Sequence, residues 1–84
     1  MAEEEIGTIT HYFGDPEVGI VKVTKGKLEV GDTLHIVGAH DDFTMTIESM
    51  ELDHESVESV KKGAEVGIKV PQRVHEHDKV LLVT

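Results

Sequence analysis

The pattern with the most potential for chemistry in this sequence is the run His75-Glu76-His77-Asp78. In an extended chain His75 and His77 would point to the same side, with Asp78 adjacent. Imidazole nitrogens and carboxylate oxygens together suit Zn²⁺ or Ni²⁺. Two exposed turn residues are the simpler interpretation. We therefore predict no specific metal site, and we name these three side chains as the candidates.

Acidic residues are dense between positions 48 and 58, and paired carboxylates can perform acid–base catalysis. They are Glu48, Glu51, Asp53, Glu55 and Glu58. A solvated face is the more common state of such a charge block. The chain has no cysteine, and its serines lie in no nucleophile-elbow context. We therefore predict that the chain is not an enzyme and uses no cofactor.

The stretch from Gly14 to Gly19 has the glycine spacing of a phosphate-binding P-loop. It is followed by Ile20 and Val21, where a P-loop has Lys and then Ser or Thr. It also leads into a predicted strand, whereas a P-loop leads into a helix. We therefore predict that this chain neither binds nor hydrolyses GTP.

The charge balance is strongly acidic, with 8 Lys plus Arg against 17 Asp plus Glu and a formal net charge of −9. A basic nucleic-acid-binding protein is excluded, because phosphate neutralisation needs a surplus of positive charge. Local surpluses of lysine occur at two places. They are Lys22, Lys25 and Lys27, and the pair Lys61 and Lys62. We predict that a partner binds around these five lysines, that RNA binds weakly, and that a protein partner is favoured.

The length of 84 residues suits one domain, covering 1–84, with Met1 to Glu5 frayed at the terminus. The acidic start lacks the basic end and apolar run of a secretory signal. No apolar stretch approaches the length of a membrane span. Together with the absence of cysteine, these features predict a soluble cytoplasmic protein that does not bind membranes.

Alternating apolar and polar residues predict an all-β domain of six strands. The strands cover 6–14, 18–24, 30–38, 43–52, 64–70 and 79–83. We expect a turn at Asp15-Pro16-Glu17, a corner at Gly31-Asp32, a bulge or bend near Glu48-Ser49, and a loop from 53 to 62. Leu34, Ile36, Val66 and Ile68 should face the interior, with Tyr12 and Phe13 also in the core. A closed or nearly closed barrel would remove the exposed sheet edges.

Three ordered motifs cover most of the chain. They are Gly26-x-Leu28-x-Val30-Gly31-Asp32-x-Leu34-x-Ile36, then Val57-x-x-Val60-x-x-Gly63-x-x-Val66-Gly67-Ile68, and then Asp78-x-Val80. This order resembles the second domain of translational GTPases such as elongation factor Tu, and in particular the small stand-alone translation elongation factor-like proteins. The resemblance implies a six- to seven-stranded antiparallel Greek-key β-barrel.

The same resemblance implies a non-catalytic module without a GTPase domain that binds RNA or protein of the translation machinery. Elongation factor Tu holds the aminoacylated end of transfer RNA partly through an Arg and an Asn, and Leu52 and Glu65 stand at those places here. His77 stands where the family usually has Gly. The chain also resembles a barrel at the C-terminal end of some U32-family peptidases. The alternative function is therefore a protein-interaction domain of another pathway, such as an accessory module of a U32-like peptidase.

Overall fold

A computed structural model describes residues 2–14 and 17–83 of the chain. Its regular structure consists of ten β-strands, and the described residues contain no helix. The strands are β1 (Glu3–Gly14), β2 (Glu17–Val23), β3 (Lys27–Glu29), β4 (Thr33–Val37), β5 (Asp42–Thr46), β6 (Met50–Leu52), β7 (Glu55–Val57), β8 (Ser59–Lys61), β9 (Glu65–Lys69) and β10 (Lys79–Val83). The predicted all-β class is confirmed. In this part of the chain, nothing helical could serve as a membrane span.

Eight of the strands form one sheet in the order β5-β4-β10-β1-β2-β9-β6-β7, and β3 pairs with β8 in a second sheet of two strands. Neighbouring strands in both sheets run antiparallel. The end strands β5 and β7 do not pair with each other within the described ranges. The structure therefore confirms an antiparallel all-β fold but shows no closed barrel.

Strand β1 starts earlier than the sequence predicts. Glu3, Glu4 and Glu5 pair with residues 83, 82 and 81 of β10, so the expectation of a frayed terminus is wrong for these three residues. The register then shifts between Glu5 and Gly7. A Cβ at Gly7 would lie 2.3 Å from the carbonyl oxygen of Lys22, so only glycine permits this close approach to β2.

The β1–β2 hairpin is paired as far as Gly14 opposite Glu17. The predicted turn at Asp15-Pro16-Glu17 lies outside the described residues at its first two positions. The same holds for the middle of the segment from Gly14 to Gly19.

The predicted long strand from 43 to 52 is two strands. Ile47 and Met50 are both buried. The positions that face the core therefore change from odd to even numbers between them, as the sequence indicates. The change does not occur at a bulge within one strand. It occurs in residues 47–49, which separate β5 from β6. There the amide of Ile47 donates to the carbonyl of Asp32 at 2.9 Å, and the amide of Gly31 donates to the carbonyl of Ile47 at 2.9 Å.

The predicted loop from 53 to 62 is also wrong, since it contains β7 and β8. Asp53 and His54 have φ values of 52° and 66° and join β6 to β7 as a two-residue hairpin loop. Positive φ at both positions is the requirement of a type I′ turn. Strand β8 then pairs with β3, which places Val60 opposite Leu28.

Among the described residues, sixteen apolar side chains are buried and form the core, which draws on both sheets and on the segments between strands. It includes Leu34, Ile36, Val66 and Ile68, which confirms their predicted inward orientation. Tyr12 packs against this core while partly exposed. Phe13 is 55% exposed, so its predicted place in the core is wrong. Successive side chains of a strand point to opposite faces, which prevents neighbours on β1 from both pointing inward.

Candidate functional site

The turn before β10 is built around a buried carboxylate. Asp78 is 3% exposed. Its Oδ2 accepts a hydrogen bond from the amide of His75 at 2.9 Å, and its own amide donates to the carbonyl of His75 at 3.2 Å. Between them, His77 has a φ of 74°, in the left-handed region that glycine adopts most easily. The turn around Asp78 therefore carries backbone strain at His77.

The corner between β3 and β4 has the same construction. Asp32 Oδ2 accepts a hydrogen bond from the amide of Glu29 at 2.9 Å, and the amide of Asp32 donates to the carbonyl of Glu29 at 3.1 Å. Gly31 supplies the positive φ, at 99°. In both places the aspartate closes a turn between strands, which is a structural role.

A second buried carboxylate, Asp41, lies beside Asp78 in the turn before β5. Asp41 is 6% exposed, and its Oδ2 lies 2.7 Å from Nδ1 of His75. One ligand atom from each of Asp41, His75 and Asp78 lies within 4.8 Å of the others. Gly38 makes this packing possible, because a Cβ there would lie 1.8 Å from Asp78 Oδ1.

The two carboxyl groups have opposite pKa shifts. Burial raises the pKa of Asp78, and its hydrogen bond with Asp41 raises it further. Burial also opposes the charge of Asp41, but hydrogen bonds from Asp78 and His75 outweigh it and lower the pKa of Asp41. When the pair holds one proton, the shifts favour Asp78 as the group that carries it and Asp41 as the carboxylate that faces His75.

This cluster brings together two of the three predicted metal candidates. His75 and Asp78 are neighbours, whereas His77 is exposed and lies outside the cluster. Asp41, which the sequence analysis missed, takes the third place. Throughout residues 2–14 and 17–83, every buried side-chain nitrogen or oxygen has a hydrogen-bond partner. The cluster is thus complete as a hydrogen-bonded network, and the absence of a specific metal site stays a prediction.

Four of the five predicted partner-binding lysines lie around the small sheet. Lys27 on β3 stands directly opposite Lys61 on β8, and the amide of Lys62 donates to the carbonyl of Gly26 at 3.0 Å. Lys25 follows β2, and its Nζ lies 3.9 Å from Glu4.

The fifth lysine and the nearby acids reduce this local surplus of positive charge. Lys22 lies on β2 opposite Glu65 of β9. Lys27 Nζ lies 3.0 Å from Glu29, whose hydrogen bond and charge raise the pKa of Lys27. Binding at the five lysines stays a prediction.

A groove of about 670 Å³ crosses the outer face of β2, β9 and β6. It combines apolar side chains with several carboxylates. Its lining residues are Phe13, Val18, Ile20, Ser49, Glu51, Asp53, His54, Glu65, Gly67 and Lys69. Sequence reasoning missed this surface because it assigned Phe13 to the core and treated the acids only as a solvated face.

No family model matches this sequence. The chain is 32% identical over 80 residues to an uncharacterized protease of Methanocaldococcus jannaschii. The match covers 94% of this chain and 19% of the protease, so the chain spans about a fifth of the length of this curated relative.

Among solved structures, the fold is similar to the C-terminal domain of a Geobacillus thermoleovorans chain named as a U32 peptidase. The TM-score is 0.87 at 17% identity, over 96% of this chain and 93% of that domain. The selenomethionine form of the same domain gives a TM-score of 0.86 at 18% identity, over 92% and 96%.

These comparisons correct the identification made from the motifs. The relative is named a protease, and the structural neighbours are peptidase domains. The identification as a translation elongation factor-like protein is therefore wrong, as are the translation machinery as its partner and protein synthesis as its process. The comparisons point instead to the C-terminal domain of U32 peptidases, which was the alternative.

Proposed function

We propose that this chain is a non-catalytic interaction module of the U32-peptidase type, which packs against the catalytic part of such a peptidase. The observation that carries this proposal is the 80-residue match to a protease of which the matched segment is 19%. The structural likeness to a peptidase C-terminal domain supports it. The catalytic part can belong to the same polypeptide or to a separate one, and about four-fifths of the matched protease lies outside the match.

A binding role, as opposed to catalysis, is supported by where the reactive groups lie. Asp41 and Asp78, which lie beside His75, have shifted pKa values of the kind found in active sites. However, their hydrogen bonds are satisfied within the turns that they join, and none of them lines the groove. The groove itself presents carboxylates and apolar side chains without a nucleophile–base pair in hydrogen-bond contact.

We also propose that the two sheets together form a barrel. The support is the ribbon of β3 and β8, which reaches toward both ends of the large sheet. On one side the amide of Gly31 donates to Ile47, just after β5, at 2.9 Å. On the other side Glu58 is the single residue between β7 and β8, and its carbonyl accepts a hydrogen bond from the amide of Val30 at 2.9 Å, which continues the β3–β8 ladder. Closure through a ribbon would leave both end strands partly covered.

The experiment is a titration of the isotope-labelled chain with a U32-type peptidase of the same organism from which any segment that matches this chain has been removed. Amide NMR signals report even weak contacts between domains. We expect saturable shifts of a limited set of signals at one-to-one stoichiometry. Domains tethered in one chain have effective concentrations of about 1 mM. The absence of any shift at about that concentration would contradict the proposal.

A further inference from the structure

We infer that the groove across β2, β9 and β6 is the surface through which this module binds the peptidase. The occupant is a peptidase segment that carries basic side chains next to an apolar one. This inference rests on the proposed function and deepens it. Three features of the groove lead to it: its apolar floor, the depression at Gly67 and its unpaired carboxylates.

The floor of the groove is apolar where an outer strand face is normally polar. On β2, Gly19 and Val21 lie at buried positions on the core side, while the side chains of Val18 and Ile20 line the groove on the other side. Phe13, opposite Val18 in the register of the hairpin, adds a ring that is 55% exposed. Three apolar side chains on one small outer face are typical of a contact surface.

A glycine deepens this floor. Gly67 on β9 stands between Ile20 on β2 and Glu51 on β6 in the ladder. A Cβ at Gly67 would lie 3.2 Å from Val18 and 3.4 Å from Ile20. The missing side chain therefore leaves a depression that a side chain of the partner can fill, which is how anchor residues bind at interfaces.

The rim of the groove is acidic. It carries Glu51, Asp53 and Glu65 against Lys69 and His54. Of the residues that the structure describes, no basic side chain lies within ion-pair distance of these three acids. Unpaired carboxylates around an apolar depression complement basic side chains that flank an apolar one.

The matched protease provides the reason to expect a protein segment as the occupant. About four-fifths of its length lies outside the matched region. Domains within one chain typically share interfaces of about 600–1,500 Å². An open groove with an exposed aromatic ring suits such a contact. None of the five lysines of the predicted surface lines the groove, but Lys22 stands opposite the rim residue Glu65. Lys62, which is not part of that pair, therefore tests the lysine surface separately.

The test uses the truncated peptidase and measures its dissociation constant for the chain. Two variants address the groove, Phe13→Ala for its floor and Glu51→Lys for its rim. Glu51 is suitable because its ladder neighbours, Ser56 and Gly67, are uncharged, so the reversal places no like charge directly opposite it in the sheet. The matched control is Glu58→Lys, the same reversal at an exposed residue outside the groove. Lys62→Glu tests the lysine surface.

We expect each groove variant to weaken binding about tenfold or more, the range of interface anchor residues. Glu58→Lys and Lys62→Glu should change it less than about twofold. Binding of the unmodified chain should also weaken as salt rises, because the rim contacts are between exposed charges. Amide spectra establish that each variant is folded, and either groove variant alone suffices for the test.

The outcomes separate this inference from the function that it rests on. If the unmodified chain binds and both folded groove variants bind equally well, the assignment of the groove as the binding surface is contradicted, while the proposed function stands. Loss of binding in Lys62→Glu alone would move the contact to the lysine surface. If the unmodified chain does not bind the peptidase at all, the proposed function fails and the groove assignment fails with it.

Discussion

The replacement Ile68→Ala tests the packing of the fold most sharply. Ile68 lies on β9 between Gly19 of β2 and Met50 of β6 and is 1% exposed. The change removes three carbons, and at about 0.8 kcal/mol per buried CH₂ the transfer term alone is about 2.4 kcal/mol. The cavity that remains brings the expected loss to about 2–5 kcal/mol. A chain of this length has a total stability of about 4–13 kcal/mol, so the variant loses a large share of it.

Urea unfolding followed by circular dichroism measures this loss as a lower midpoint with an unchanged slope. The matched control is Ile20→Ala, the same chemical change on the outward face of β2, where the side chain is only half-buried. We expect the control to lose less than about 1 kcal/mol. A loss within about 0.5 kcal/mol at Ile68, or equal losses at both positions, would refute the assignment of these two faces.

The remaining predictions concern two ionisable residues and one strained position, and unfolding experiments test all three. Because burial raises the pKa of Asp78, its contribution to stability is full below about pH 3.9 and is lost as the pH rises through the folded pKa. Asp78→Asn should therefore be at least as stable as the parent at about pH 7, with a gain that vanishes near about pH 3; a clear loss at neutral pH would contradict it. Hydrogen bonds to Asp42 and Glu3 raise the pKa of His35, so its contribution is full below about pH 6.5 and is lost at higher pH. His35→Gln should therefore destabilise at about pH 5.5 and have little effect at about pH 9, and a loss independent of pH would count against the ion pairs. His77→Gly should stabilise by about 0.5–1 kcal/mol by relieving a positive φ, and a decrease in stability would show that the turn is not strained.

Strands with strict alternation could be predicted from the sequence, whereas the short strands could not. Leu34 and Ile36, and likewise Val66 and Ile68, repeat at period two and mark their inward faces directly. Strands β7 and β8 have three residues each and one inward-facing apolar residue apiece. They form because β6 and β3 provide partners, and no local pattern shows that pairing.

The cluster of Asp41, His75 and Asp78 could likewise be predicted only in part from the sequence. His75 and Asp78 are close in sequence, so a shared site could be proposed from their spacing. Asp41 precedes His75 by 34 residues. It reaches the site because β4 pairs with β10, which places Val37 opposite Lys79 and brings the flanking turns together. Such a contact follows from topology and cannot be read from one segment.

The motifs gave the right kind of fold and the wrong family for a physical reason. Gly31-Asp32 and the corresponding His77-Asp78 close turns between strands, and each aspartate accepts a hydrogen bond from the backbone amide three residues earlier. Residues favoured in a turn recur in unrelated proteins that use the same turn. They therefore indicate a fold and carry no information about the partner.

The most direct test of the central claim is to isolate the chain from its own cells. A purification tag is placed on the native gene, and the bound proteins are quantified by mass spectrometry. We predict that a U32-type peptidase is recovered in stoichiometric amount, either within the tagged polypeptide or bound to it. Recovery of translation factors or ribosomal proteins in stoichiometric amount, without any peptidase sequence, would contradict the account.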